Sequence, residues 1–378
     1  MNNLRLFKYI KFFFNIRFRF DFPKKNKILL FDEIHADVLK IIFKKDFNIL
    51  EIRKKNIYFW IYLKQIIFFD FKFETYCINY IKFTSPNVII CFNTLRFQLY
   101  QLKNYFKDIN FISISNGTYF DNKYEDRKKS WPKNLKCDYL FINNKFHVSR
   151  YKKIIKSNYR IIGYFRNNLV KINKTKSNNQ FLYLSTLYEN HRGQIDYDPN
   201  NFHKKLLNYI NLYLIKYNKK IHILLRSSKE YPGHEFEINY YKKIFKLNCV
   251  FHQSNQWRKK YRKLDEFENI IFTFTAMGYE AIARKKKVAV FAPYKTKFSD
   301  YKFNVKTYFG WPGPDKKEFS FFSTKKITYN EVERVLNNVI NCSQSDWNKK
   351  YYKIIKDQSY YDNDNKEFRD FILKLAKI

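Results

Sequence analysis

One stretch constrains the fold of this 378-residue chain more than any other: residues 270–293, IIFTFTAMGYEAIARKKKVAVFAP. It reads strand, turn, helix, strand. Ile270–Phe274 is a short apolar run with β-branched residues, and Thr275-Ala276-Met277-Gly278 turns the chain. Tyr279–Lys287 suits a short helix, and Val288–Phe291 suits a second buried strand. A hydroxyl residue at the strand end, with Gly278 in the turn, leaves backbone N–H groups free at a helix N-terminus. Such a site takes an anion, usually a phosphate. Glu280, just inside the helix, suits hydrogen bonds from a ribose. The unit reads as half of a nucleotide site in a parallel α/β sheet, although most strand–turn–helix units bind nothing.

The same alternation runs through the chain. Lys27–Phe31 (KILLF), Phe47–Ile52, Asn87–Phe92 (NVIICF), Asn110–Ile114, Asp138–Ile142 and Tyr159–Gly163 are predicted strands. Helical patterns follow the first strand through Lys44, cover Tyr58 to Phe83, and cover Leu95–Phe106. Asn168–Gln180 is polar and reads as a linker. A second series then begins, with strands at Phe181–Leu184, Ile221–Leu225 and Cys249–His252 and helices at Phe202–Tyr217 and Glu237–Phe245. Val332–Ile340 and Trp347–Ile355 read as late helices. The predicted fold class is α/β: two Rossmann-like domains, parallel sheets flanked by helices, facing a central cleft. Residues 1–26 form a basic aromatic leader, 27–167 the first domain, 168–180 the linker and 181–355 the second domain. Residues 356–378 form a C-terminal helix, with packing back on the first domain left open.

The charge is extreme, 73 Lys and Arg against 34 Asp and Glu, a net +39. An anionic partner is one explanation. The abundance of Lys, Asn, Ile, Phe and Tyr beside only 7 Gly and 8 Pro points to compositional bias as the larger one. No RRM or KH signature is present, so no specific nucleic acid is expected. Five scattered cysteines without a CxxC pair argue against a zinc site and fit a reducing compartment. The leader, LRLFKYIKFFFNIRFRF, alternates cations with aromatics, which suits a membrane interface or a first strand or helix with solvated lysines.

Ligands of open parallel sheets bind beyond the C-terminal ends of strands. The first half offers Asp32, Glu33 and His35, then Asn93, then Ser115-Asn116-Gly117. The second offers Ser185, Glu189 and Arg192, then Arg226, then Thr273 and Thr275 with Gly278 and Glu280. Cations and hydroxyls suit a phosphate donor, and carboxylates with an imidazole suit deprotonation of a hydroxyl nucleophile. Asp32 and Glu33 also suit a helix cap, His35 a helix surface and Arg226 a surface ion pair. There is no Walker A loop, no GxGxxG, no GxSxG elbow and no DxD motif outside the polar tail at Asp362-Asn363-Asp364.

The segments KILLFDEIHADVL, INFISISNGTY, FLYLSTLYEN, ILLRSSKE and FTFTAMGYEAIARKKKVAVF carry a resemblance over roughly residues 27–355. The chain resembles bacterial surface-carbohydrate (O-antigen or capsule) biosynthesis proteins. These look like glycosyltransferases of the GT-B fold and are distantly similar to CDP-glycerol glycerophosphotransferases and Kdo transferases. Thr275, Gly278, Glu280 and Ala281 match the family's Ser/Thr-x-x-Gly-x-Glu-Ala unit. Ser115-Asn116-Gly117 stands where Gln-His-Gly or Gln-Asn-Gly is usual, so its first position departs. The resemblance implies a metal-independent enzyme with no cofactor, moving a sugar from a nucleotide-sugar to a surface polysaccharide or lipid-linked glycan. Asp32, Glu33 and His35 would act on the acceptor, with Asn93, Asn116 and Gly117 lining its side of the cleft. Ser185, Glu189, Arg192, Arg226, Thr273, Thr275, Gly278 and Glu280 would hold the donor. The enzyme would be cytoplasmic and peripheral on the inner membrane. A glycerol- or ribitol-phosphate transferase on the same fold, or a non-enzymatic nucleic-acid or membrane binder, are the alternatives.

Overall fold

The computed structural model describes residues 16–53, 56–68, 70, 72–94, 96–115, 117, 129–173, 179–187, 202–230, 233–273, 275–291, 319–356 and 359–378. Short, fully apolar strands need cover on both faces, and the chain supplies it with two six-stranded parallel sheets. The first contains β2 (Ile28–Phe31), β3 (Asn48–Leu50), β5 (Val88–Cys91), β6 (Asn110–Ile114), β7 (Leu135–Ile142) and β8 (Ile155–Ile161), in the order β3-β2-β5-β6-β7-β8. The second contains β9 (Phe181–Leu184), β10 (Ile221–Leu224), β11 (Cys249–His252), β12 (Asn269–Phe272), β13 (Lys287–Phe291) and β14 (Ser323–Thr324). Its order is β11-β10-β9-β12-β13-β14, the doubly wound order whose chain reversal falls between β9 and β12. The expected α/β class and parallel sheets are borne out.

A small parallel pair, β1 (Arg17–Arg19) and β4 (Asn56–Tyr58), was not predicted. Residues 1–15 of the leader lie outside the described residues. The Tyr58–Phe83 pattern resolves into α2 (Phe59–Ile67) and α3 (Phe73–Thr84), since β4 takes up Tyr58. Helix α1 (Ala36–Phe43) and the C-terminal α12 (Lys366–Ala376) cover one face of the first sheet. There Phe368, Ile372 and Ala376 pack with Val38, Ile42, Ile90 and Phe141.

Two crossovers join the halves. The first passes through α6 (Phe165–Asn168) into the segment leading to β9. The second returns through Ser359–Asn365. Gly163 stands where they meet, with φ +70°, and a Cβ there would come 1.9 Å from the Tyr360 carbonyl oxygen, so no other residue fits. Asn168 donates to Ile162 O at 2.8 Å and to Asn365 Oδ1 at 2.9 Å, sewing the crossovers together.

The strongest fixture is Arg284, which follows α10 (Ala276–Ala283). Its Nε donates to Asp265 Oδ1 at 2.7 Å, and its Nη2 to Oδ2 at 2.5 Å. Nη1 reaches Asn167 Oδ1 at 3.0 Å and Val170 O at 2.9 Å, and Nη2 also reaches Lys171 O at 3.2 Å. Both charged side chains are buried, and the guanidinium is surrounded by acceptors. Removing one partner of such a pair strands the other in a dry interior. Arg284→Ala should therefore cost about 3–5 kcal/mol and lower the melting temperature by roughly 5–15 °C, measured by scanning calorimetry.

Candidate functional site

A cleft of about 590 Å³ opens between the two sheets. The first domain supplies His35, Phe92, Ser115, Asn143 and Arg166, and the second supplies Arg226, Trp257, Lys260, Tyr261, Met277 and Glu280. A second cavity of about 430 Å³ adjoins it, sharing Arg226, Lys260, Ala276 and Met277 and adding Ser185, Thr186 and Thr275. Together they lie over the chain reversal of the second sheet, where open α/β sheets take ligands.

Helix α10 begins at Thr275, whose extended backbone makes it the N-cap. The helix starts earlier than predicted, so Gly278 lies within it and not in the turn. Its role is packing: a Cβ at Gly278 would sit 2.2 Å from the Phe272 ring of β12. The absent side chain lets the helix settle on the strand, and Thr275, Ala276 and Met277 at its start line the second cavity.

Glu280 is buried one turn further on. Burial is the main cause that raises its carboxyl to about 7, opposed by a hydrogen bond from Tyr261 and by the charges of Arg284 and Arg166. Arg226 follows β10, and its loop is held from two sides. The carboxylate of Glu237, on α8 (His234–Phe245), accepts from the Arg226 N–H at 2.9 Å and the Ser227 N–H at 3.0 Å. It also accepts from the Ser185 and Ser227 hydroxyls. Lys260, on α9 (Trp257–Asp265), donates to Arg226 O at 2.8 Å and Leu225 O at 3.2 Å. Burial lowers the Lys260 ammonium below its ordinary value.

On the opposite wall His35 caps α1 in a left-handed conformation, φ 57°. Its ring packs 4.6 Å from Phe92, and its Nδ1 lies 3.3 Å from Arg166 Nη2. Burial, then the Arg166 charge, lowers its pKa to about 4, so the imidazole is neutral at neutral pH. The buried Nε of Arg166 has no hydrogen-bond partner among the described residues.

The structure brings His35, Arg226 and Glu280 to the main cleft, and Ser185 and Thr275 to the adjoining cavity. It does not bring Asp32 there. Both Asp32 oxygens are engaged, by Arg53 at 2.9 and 3.0 Å and by Arg96 at 3.1 Å. Glu33 accepts from the Arg53 N–H at 3.2 Å and does not line either cavity. Asn93 is buried beside Asp32's strand end, and Gly117 accepts from Ser115 Oγ at 2.9 Å. Thr273 is buried, 3.2 Å from the Thr186 hydroxyl, beneath the cavity floor. Glu189, Arg192 and Asn116 lie outside the described residues. Among the described residues no group of three or more His, Cys, Asp and Glu side chains is placed to hold a metal.

Sequence reasoning missed Arg166, Glu237 and the whole of α9. The signal for α9 was present: Trp257, Tyr261 and Leu264 recur at helical spacing, masked by five cations within nine residues.

The sequence profile of a family described as "putative O-antigen biosynthesis protein" matches residues 112–376. No curated protein matches the chain by sequence. Among solved structures, a glycosyltransferase from Rickettsia africae superposes with a TM-score of 0.52 at 10% identity, covering 93% of this chain and 99% of that one. A sucrose-phosphate synthase from Thermosynechococcus elongatus gives 0.53 at 7% identity, covering 93% and 100%. Against TarM from S. aureus the TM-score is 0.46 at 13% identity, with 81% of this chain covered, and the chain spans only 59% of the TarM length. The first two likenesses, each over nearly the whole of both chains, show the fold.

The raised Glu280 carboxyl has a thermodynamic consequence. An acid whose pKa is higher in the folded state than in the unfolded chain binds more protons when folded, so stability falls as pH rises between the two values. From about 4.5 to about 7 the wild type should lose up to about 3 kcal/mol relative to Glu280→Gln. Urea unfolding of both proteins at pH 5 and pH 8 checks this.

Proposed function

Because the chain belongs to this O-antigen biosynthesis family, we propose that it is a glycosyltransferase. It moves a sugar from a nucleotide-sugar to a surface polysaccharide or lipid-linked glycan. The observation that carries this is the composition of one cleft: Arg226, Lys260, Glu280 and a helix N-terminus on one wall, His35 and Arg166 on the other.

In this reading the donor diphosphate lies in the cavity between Arg226, Lys260 and the first turn of α10. There two cations and the aligned N–H groups oppose its charge. Glu280 accepts from the donor's hydroxyls, and Trp257 offers a flat apolar face to the base or sugar. The acceptor hydroxyl enters beside His35. Its oxygen bonds to the anomeric carbon as the bond from that carbon to the phosphate oxygen breaks. The electron pair leaves on the diphosphate, and the hydroxyl proton passes to His35 or to solvent. The low basicity of His35 suits a group that orients the hydroxyl and takes its proton late. Asp32, neutralised by two arginines, holds the strand-end loop that presents His35.

Positive charge at the leaving group comes from Arg226 and Lys260, so we read the reaction as independent of a metal and of any further cofactor. Donors of this class are made in the cytoplasm, and a lipid-linked acceptor would hold the enzyme at the inner leaflet. No helix among the described residues is long and apolar enough to cross a membrane.

Arg226→Ala removes a charge-assisted contact worth ~1.5–3 kcal/mol and should weaken donor affinity or rate by roughly 10- to 150-fold. Its melting temperature should stay near wild type, because the Arg226 side chain is exposed. Steady-state kinetics with a nucleotide-sugar panel tests it. Wild-type affinity in the variant would remove Arg226 from the donor site.

A further inference from the structure

Helix α2 is apolar on both sides. Ile61 and Tyr62 face the first domain's core, as a surface helix requires. The opposite stripe should then be polar, yet it reads Trp60, Lys64, Ile67, at the i, i+4, i+7 spacing of one helical face. Trp60 is 45% exposed and Ile67 63%, and Phe68 at the helix end is 71% exposed. The strand carrying β1 extends this surface. Phe20 and Phe22 are 65% and 58% exposed, Phe22 stacks 6.2 Å from Trp60, and the Trp60 indole donates to Phe20 O at 2.6 Å. Contiguous exposed aromatics on this scale mark an interaction surface.

We propose that the outer face of α2, with Arg17–Phe22 laid beside it, docks on an anionic lipid bilayer. This deepens the proposed function, and rests on it for the acceptor's being membrane-held. The cations choose the occupant. Arg17, Lys24, Lys25, Lys64 and Lys72 are exposed around the aromatics. Of the nearby acids, Asp21 is paired with Arg19 at 2.7 Å, which leaves Asp70 and Glu74 against these five cations, an excess of positive charge. A second copy of this chain would bring the same cations face to face. An anionic headgroup layer neutralises them while Trp60, Ile67 and Phe68 enter the interface, as aromatics beside basic residues do at membrane surfaces. The indole, with one polar edge, suits that depth.

The test uses the full chain and sedimentation with vesicles of phosphatidylethanolamine and phosphatidylglycerol, against phosphatidylcholine alone. Wild type should bind the anionic vesicles selectively and leave them at about 0.5 M salt. Ile67→Asp with Phe68→Asp should reduce vesicle affinity at least about tenfold, since both side chains project outward and their burial is lost. Lys64→Glu and Lys72→Glu should each cost about fivefold or more on the anionic vesicles and narrow the preference for anionic lipid. Melting temperatures and the nucleotide-induced thermal shift should match wild type in all of these. Three results would overturn the docking face: wild type indifferent to anionic vesicles, the double variant bound as tightly as wild type, or a concentration-dependent dimer that the double variant abolishes. Vesicle binding without any nucleotide shift would support the docking face while defeating the donor reading, so the two fail separately.

Discussion

The buried pair of Arg284 and Asp265 sets the relation between the walls of the cleft. Asp265 ends α9, and Arg284 follows α10, so the ion pair ties together the two helices that carry Trp257, Lys260, Tyr261 and Glu280. The same guanidinium holds Asn167, Val170 and Lys171, where the chain leaves the first domain. Arg166 is the next residue back, and it faces both His35 and Glu280. A desolvated ion pair is a poor source of net stability, but a fully hydrogen-bonded one admits a single geometry. Here that geometry fixes α9 and α10 against the chain that carries Arg166.

Electrostatics inside the cleft follows from this arrangement. Arg166 lies close enough to His35 to hold the imidazole neutral and close enough to Glu280 to favour its carboxylate, while burial favours the neutral acid. Burial is the larger effect at both residues, which places the carboxyl near the point of half-protonation at neutral pH. Across the floor, Glu237 gathers the N–H groups of the Arg226 loop and the Ser185 hydroxyl onto one carboxylate. Ser185, at the end of β9, lines the adjoining cavity and also accepts from Tyr241 at 2.8 Å.

Much of the fold was legible because buried parallel strands are short apolar runs. Asn110–Ile114, Phe181–Leu184 and Cys249–His252 fall where their side chains alone put them. Helix α9 was illegible because Lys and Arg fill its outer face and swamp three well-spaced apolar residues. At the site, strand ends pointed to His35, Arg226 and Glu280, since backbone topology decides which residues reach the cleft mouth. The same rule brought in Asp32, whose lot is decided by Arg53 and Arg96, 21 and 64 residues away in sequence. Arg166 sits on α6, past the residues that close β8, so a search confined to the strand ends passed over it. Gly278 was recognised for the wrong reason: a ring from β12, not a turn, excludes its side chain.

The proposed nucleotide site lies against Arg226, Lys260 and the start of α10 in the second domain. Isothermal titration of the wild-type chain with UDP, CDP, GDP, dTDP and CMP tests it most directly. At least one of them should bind saturably at one site per chain, and more weakly as salt screens the two cations. Absence of binding by all five at millimolar concentration, with the protein folded, would contradict it.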